Sequence, residues 1–437
     1  MGTNRLPASQ RASVFALVDV NNFYVSCERA FNPKLANIPV VVLSNNDGCA
    51  VARSNEVKAL GVKMGAPWFK MRDLAKQHGI IGLSSNYTLY GDMSNRVVTV
   101  LRNFTPDMEV YSIDESFLRV ETTAQLFCGH AQMGQTIRDR VYSWTGLPVC
   151  VGFGATKTLA KLANHLAKKN AQFNGVCDIT NMQAGELSDW MQRIDVGEVW
   201  GVGRRIAARL AEMDIKTVFD LAHAESKALR KQFGVVMERT VSELCGVSCL
   251  ALEDVAPHKK QIMSSRSFGA MQHTMQSVGE ALAWHVHSAA EKLRRQKSVA
   301  GAVYVFVQTN RFKVENSQYN GSVVVPLADV TDDTSVLTKA AHAGLRHIYR
   351  DGYAYKKSGV MLMELEEKQL RQETLFDDPA ARAKSEKLMA LLDGINTTWG
   401  GGTLRIGAAG FNQHWAMRSE NRSPRYTTNW SELPTAR

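Results

Sequence analysis

Val14-Phe15-Ala16-Leu17-Val18-Asp19-Val20 is followed directly by Asn21-Asn22-Phe23-Tyr24, and the fold is decided in this stretch. An apolar, partly β-branched run with one acid near its end spells a buried strand that carries Asp19. A second acid-bearing segment, Glu109 to Val120, reads as strand and contains the adjacent pair Asp114-Glu115. An unpaired carboxylate in apolar surroundings costs several kcal/mol, so three of them call for an offsetting cation. Carboxylate and carbonyl oxygens make a hard-oxygen site that suits Mg²⁺. Neighbours in an ideal strand point to opposite faces, so a bend, hairpin tip or bulge is predicted where Asp114 and Glu115 converge. Taken alone, the same acids also fit surface groups beside a turn.

Working outward, Val40 to Leu43 leads into Asn46-Asp47-Gly48 and Ala50 to Ala52, where an Asp-Gly pair favours a tight hairpin turn. Ser54 to Leu60 fits a short helix stopped by Gly61. Met133 to Trp144 reads as an amphipathic helix and Pro148 to Phe153 as a strand, which makes the first part α/β or α+β. From Thr156 to Lys168, Leu159, Leu162, Ala163 and Leu166 recur on one helical face, with Lys157, Lys161, His165 and Lys168 opposite. That basic side fits a solvated face or a row of phosphate contacts. Next, Gly201 and Gly203 precede a helix from Arg204, and Thr217 with Asp220 is close to a capping box. Two short helices around a glycine hairpin suit backbone N–H contacts to an anion. Pro257-His258-Lys259-Lys260 reads as a linker. Beyond it, strands at Gln261–Phe268, Gly301–Gln308, Val323–Val325 and Gly359–Leu365, with a helix at Glu280–Lys297, form a small α+β domain. The end is polar and acidic, with one amphipathic helix up to Asp393, and is expected to be partly flexible.

The chain has 437 residues, and its 52 Lys+Arg against 42 Asp+Glu leave a formal net charge of +10. That length suggests about three domains, and the positive surplus favours an anionic partner such as a polyphosphate backbone. Apolar residues at 45% rule out wholesale disorder. The seven cysteines are scattered without a CxxC pair, so they are expected to be reduced and structural. No apolar run of about 18 residues exists and the first thirteen residues carry no apolar core, so neither a membrane span nor a secretory signal is expected. A cytoplasmic location follows as an expectation.

Asp19-Val20-Asn21-Asn22-Phe23-Tyr24 with Ser112-Ile113-Asp114-Glu115-Ser116-Phe117 resembles the palm signature of Y-family translesion DNA polymerases. Val40 to Ala52, Lys58 to Gly65, Ser84-Ser85-Asn86-Tyr87, Tyr90-Gly91-Asp92-Met93-Ser94 and Ser423-Pro424-Arg425-Tyr426-Thr427-Thr428 are similar to the UmuC branch of that family. The likeness runs from Val14 over nearly the whole chain. It implies an α+β multidomain, right-handed polymerase: palm and fingers over 14–186 (fingers about 30–95), a helix-hairpin-helix thumb over 187–256 and a little finger over 257–365. Residues 366–437 would be a tail and 1–13 an N-terminal extension.

The resemblance further implies that Asp19, Asp114 and Glu115, with the Val20 carbonyl, hold two Mg²⁺ ions. Tyr24 matches the steric gate beneath the sugar, and Phe23, Tyr24, Lys58 and Lys168 the groups around the triphosphate. Lys58 stands where the family often has Arg, and a point charge lacks the bidentate fork. Lys157, Lys161, Gly201, Gly203, Arg204, Lys259, Lys260 and Arg266 would contact the DNA backbone, reading phosphates and not sequence. Gln372-Glu373-Thr374-Leu375-Phe376 is similar to the QxxLF peptide that binds the sliding clamp, with Gln372, Leu375 and Phe376 as its anchors. The activity implied is error-prone synthesis past damaged template bases in SOS-type repair. The partners implied are primer-template DNA, dNTP, the clamp, a processed UmuD-like dimer and a RecA filament. Two alternatives remain at this level, a non-catalytic DNA-binding scaffold and a two-metal nuclease. The scaffold needs none of Asp19, Asp114, Glu115, Tyr24 and Lys168. The nuclease has no purpose for a steric-gate tyrosine.

Overall fold

A computed structural model describes residues 13–253, 257–313, 315–371, 378–411 and 413–433. The chain divides into two compact units. One takes in the described residues of Met1–Leu43, Cys49–Ala256 and Asn421–Arg437, the other Ser44–Gly48 with Pro257–Glu420.

The first unit is built on a five-stranded sheet in the order Met108–Val110, Glu115–Arg119, Phe15–Val20, Val149–Gly154, Val176–Asp178. The strand that carries Asp19 is central and antiparallel to both neighbours. Period-two alternation then decides which way the acid points. Ala16, Val18 and Val20 join one core with Leu89 and Met93 of helix Tyr87–Leu101 and with Met133 and Ile137 of helix His130–Thr145. Phe15 and Leu17 face the other way and pack with Phe117 and with Ala160 of helix Lys157–Lys169. Asp19 shares that second face. The helix lies unusually close because Gly152 and Gly154 lack side chains: a Cβ on Gly152 would meet the Asn164 nitrogen at 2.1 Å, and one on Gly154 the Ala160 nitrogen at 2.5 Å. The same helix shares a core with Val199, Leu210, Val218 and Leu244, so it joins the palm sheet to the short thumb helices.

A smaller sheet orders Ala50–Arg53, Val40–Leu43 and Ile81–Ser84. The connection from Leu43 to Ala50 differs from the tight Asp-Gly turn read from sequence. Asn46 and Asp47 adopt left-handed φ of 59° and 49°, and Gly48 stays at φ −79° in a longer loop with a 3₁₀ turn. Asn and Asp tolerate that conformation through their short side chains, so the glycine is not the residue that turns the chain.

In the second unit, Ile262–Gln272, Ser298–Thr309, Asn320–Thr331 and Tyr355–Glu367 form an antiparallel sheet with helices Met275–Arg295 and Thr334–Ile348 packed on it. The helix Thr334–Ile348 was not read from sequence, although Leu337, Ala341, Leu345 and Ile348 have helical spacing and Asp333 caps its start. Helix Pro379–Trp399 buries Met389 and Leu392, and its Asp393 receives both arms of the Arg294 guanidinium at 2.7 Å. No helix among the described residues is long and apolar enough to cross a membrane.

Candidate active site

Asp114 and Glu115 reach the same end of the sheet as Asp19 because the chain breaks its strand between Val110 and Glu115. The two strands Met108–Val110 and Glu115–Arg119 pair as a hairpin whose tip is Tyr111–Asp114. The Ser112 hydroxyl holds the tip closed. It donates to Asp114 Oδ1 at 2.6 Å and accepts from the backbone N–H groups of Asp114 and Glu115 at 3.3 and 3.1 Å. Glu115 then lies opposite Asp19 in register, and the Val20 N–H donates to the Asp114 carbonyl at 2.9 Å. The sequence expectation of a hairpin tip at the acidic pair is met, and Ser112 is the residue that makes it.

The basic side of helix Lys157–Lys169 turns out to face these acids. Lys168 Nζ lies 2.5 Å from Asp19 Oδ2, and Lys161 Nζ lies 2.9 Å from Glu115 Oε1 while its ammonium sits over the rings of Tyr111 and Trp200. His165 stands 3.5 Å from Glu198. Lys157 is buried, bonded to Glu109, and Glu109 also accepts from the Glu253 backbone N–H at 2.7 Å. One sequence assignment is corrected by this: Lys157 is not a surface cation waiting for a DNA phosphate, because it is buried against Glu109. Lys161 pairs with Glu115 but stays partly exposed. Spacing along the helix could place them on one side but could not say what that side would face.

Burial pushes the Asp19 carboxyl up to about 6, against the opposing pull of Lys168, and Glu115 and Asp114 push it further up. A desolvated acid in like-charged company demands a cation, so the donor set fits a hard divalent ion. Among the described residues no three His, Cys, Asp or Glu side chains gather as a formed cage. The acids are instead turned onto Lys168, Lys161 and Ser112, partners that a bound divalent ion would displace. A cavity of about 190 Å³ opens there, lined by Asp19, Glu115, Lys161, His165, Lys168 and Trp200.

Tyr24 is the second residue of helix Phe23–Phe31, five residues after Asp19. Its ring stacks on Tyr90 at 4.4 Å and 14° and meets Tyr87 edge-on at 6.0 Å. The Phe23 side chain is buried, so only its backbone N–H can face a ligand. That N–H is at the helix start, after Asn22 at φ 48°, whose side chain makes no cap there. Asn22 instead accepts from Lys58 and donates to Asn55 at 2.9 Å. The Lys58 ammonium is held down by burial first and then by repulsion from Arg53, Lys168 and Lys169. Arg53 and Lys169 therefore belong to the cationic group beside Asp19. Sequence reading missed both, since neither lies on a motif.

In the thumb, Gly201 at φ 87° and Gly203 are exposed, as is Arg204, the first residue of helix Arg204–Ala211. A Cβ on Gly203 would meet nothing within 4 Å, so nothing inside the chain demands glycine there. Thr217 and Asp220 form a complete capping box. In the second unit Lys259, Lys260 and Arg266 are exposed. Gln372, Leu375 and Phe376 lie outside the described residues.

Comparison with known proteins places this geometry in context. Residues 18–165 match the impB/mucB/samB family, residues 259–375 the impB/mucB/samB family C-terminal domain, and residues 386–436 a domain of unknown function, DUF4113. The chain is 45% identical to protein UmuC of Salmonella typhimurium over 96% of its own length and 99% of the relative's. It is 42% identical to protein ImpB of the same species over 97% of this chain and all of the relative. Among solved structures, a Y-family DNA polymerase chimera, Dbh-Dpo4(243-245)-Dbh, superposes with a TM-score of 0.63 at 20% identity, covering 80% of this chain and 98% of that one. That last likeness is one of fold.

Proposed function

This chain belongs to the impB/mucB/samB family, in the UmuC branch of the Y-family polymerases, and from that membership and its palm geometry we propose how it works as a translesion DNA polymerase. The observation that carries the reading is the gathering of Asp19, Asp114 and Glu115 at one end of the central sheet, with Lys168 and Lys58 beside them and Tyr24 in the helix that follows Asp19. A scaffold has no use for that arrangement.

Asp19, Asp114, Glu115 and the Val20 carbonyl would hold two Mg²⁺ ions. Bound there, the metal supplies Lewis-acid chemistry, which favours ionisation of the primer 3′-OH and neutralises charge on the triphosphate and the leaving pyrophosphate. The chain's own residues do the rest. Lys168 exchanges Asp19 for the triphosphate, and Lys58 and the open N–H groups at the start of helix Phe23–Phe31 add positive potential there. Tyr24 presents a ring edge under the sugar and refuses a 2′-OH by contact. Gly201, Gly203 and Arg204 hold the primer backbone, while Lys259, Lys260 and Arg266 grip the duplex through phosphates. Gln372, Leu375 and Phe376 would recruit the sliding clamp. A processed UmuD-like dimer and a RecA filament are the expected activating partners.

The test is Mg²⁺-dependent primer extension, with the clamp, a processed UmuD-like dimer and a RecA filament supplied, comparing intact protein with Glu115→Ala. Extension by the intact protein and not by the variant supports the reading. Tight, salt-sensitive DNA binding with no extension by either favours the scaffold.

A further inference from the structure

The C-terminal segment after Glu420 returns to the first unit and lies against the two helices that carry the gate tyrosine's surroundings. Its backbone is tied at Ser84: the Ser84 N–H donates to the Asn421 carbonyl at 3.0 Å, and the Asn421 N–H donates to Ser84 Oγ at 3.0 Å. The Asn86 side-chain amide then donates to the Ser423 carbonyl, the Ser423 hydroxyl and the Pro424 carbonyl at 3.0, 2.9 and 3.0 Å. Asn86 is also the cap of helix Tyr87–Leu101, accepting from the Leu89 N–H at 3.3 Å. Tyr426 stacks on Phe31 at 4.9 Å and 7°.

On helix Phe23–Phe31, Tyr24, Glu28 and Phe31 follow at i, i+4 and i+7, so they share one face. Glu28 is 2% exposed. Its Oε1 accepts from the Tyr90 hydroxyl at 2.6 Å and from the Ser423 hydroxyl at 3.0 Å. Burial raises the Glu28 carboxyl, and these two hydroxyls act against it. A buried acceptor met by two hydroxyls depends strongly on both donors. Tyr90, itself fully buried, is the ring on which Tyr24 stacks.

We propose that Ser423, Glu28 and Tyr90 are positioning residues: the C-terminal segment fixes Glu28, Glu28 fixes the Tyr90 ring, and Tyr90 fixes the plane of Tyr24. The strictness with which ribonucleotides are refused is thereby set from the far end of the chain. This rests on the polymerase reading and on Tyr24 lying under the sugar. The physical reason is that exclusion by contact is steep in distance, so a gate free to shift by about 1 Å loses most of its discrimination.

The test is single-nucleotide insertion by the full-length protein, with the clamp, a processed UmuD-like dimer and a RecA filament supplied, measuring kcat and KM for a dNTP and the matching rNTP. Ser423→Ala and Tyr90→Phe each remove one donor to Glu28, and each should lower the dNTP-over-rNTP ratio of kcat/KM about tenfold, the worth of one hydrogen bond to a buried acceptor. The change should lie in the ribonucleotide's constants, with dNTP insertion within about twofold of wild type. Ser423→Thr keeps the hydroxyl and should restore the ratio. An unchanged ratio in both Ser423→Ala and Tyr90→Phe, with Tyr24→Ala abolishing discrimination, overturns the proposal and leaves the gate intact. An unchanged ratio in Tyr24→Ala overturns the gate assignment, and no dNTP insertion by the wild type overturns the polymerase reading; the proposal falls with either.

Discussion

Asp19 and Lys157 show how one strand and one helix give similar-looking charges opposite duties. Asp19 sits at the open end of the central strand beside Glu115, where its pairing with Lys168 can be exchanged for a ligand. Glu115→Gln should therefore reduce nucleotide insertion about a thousandfold or more while leaving the DNA dissociation constant unchanged, as read by parallel single-turnover and anisotropy measurements. Lys157 is sealed against Glu109, so Lys157→Ala leaves a buried carboxylate unpaired. That change should cost about 3–5 kcal/mol in urea unfolding and should not alter the salt slope of DNA binding. The acids were legible because charge inside an apolar strand is conspicuous in one dimension. Lys157's partner was not, since Glu109 is 48 residues away in sequence and reaches it only through sheet pairing. His285 illustrates the same limit. It is buried near Arg266 and Lys357, and burial, with their charges adding, pushes its imidazole down to about 3. The folded protein thus keeps it neutral, whereas the unfolded chain binds a proton below its ordinary value of 6.5. Its contribution to stability is flat above that value and falls by about 1.4 kcal/mol per pH unit below it, down to the folded value. Urea midpoints at about pH 7 and pH 5 should differ less in His285→Leu than in wild type.

At the scale of elements, the palm depends on two absent side chains. Gly152 and Gly154 let helix Lys157–Lys169 approach until its backbone touches the sheet, and this brings Lys161 and Lys168 onto Glu115 and Asp19. The period-two pattern announced the strand and the 3.6 pattern announced the helix. The close approach between them was invisible, because a glycine reads as a loop signal until its neighbour is known. Helix Thr334–Ile348 is readable from Asp333 and its apolar spacing. In the thumb, Gly201 at φ 87° is held by conformation. Gly201→Ala should cost about 1–2 kcal/mol of local strain and weaken primer binding with kcat little changed, measured by extension at varied DNA concentration.

For the whole molecule, the net charge of +10 has a narrower meaning than it first suggested. Lys157, Lys161 and Lys168 pair with acids inside the palm, whereas Lys259, Lys260, Arg204 and Arg266, which we propose as phosphate contacts, are exposed. Each of these replaced by Ala should reduce the slope of log affinity against log salt by about 0.9, with no dependence on DNA sequence. Many of the strands and helices were legible because each has its own apolar period. The return of the C-terminal segment to Glu28 and Asn86 was not, since those contacts span more than 330 residues and rest on hydroxyl and amide groups that leave no periodic trace. The most direct test of the central claim is insertion opposite an abasic template site, with Mg²⁺, the clamp, a processed UmuD-like dimer and a RecA filament supplied, comparing wild type with Asp19→Asn. Insertion by wild type that vanishes in the variant is the expected result. Insertion that persists in Asp19→Asn, or none by wild type on damaged or intact template, would contradict the account.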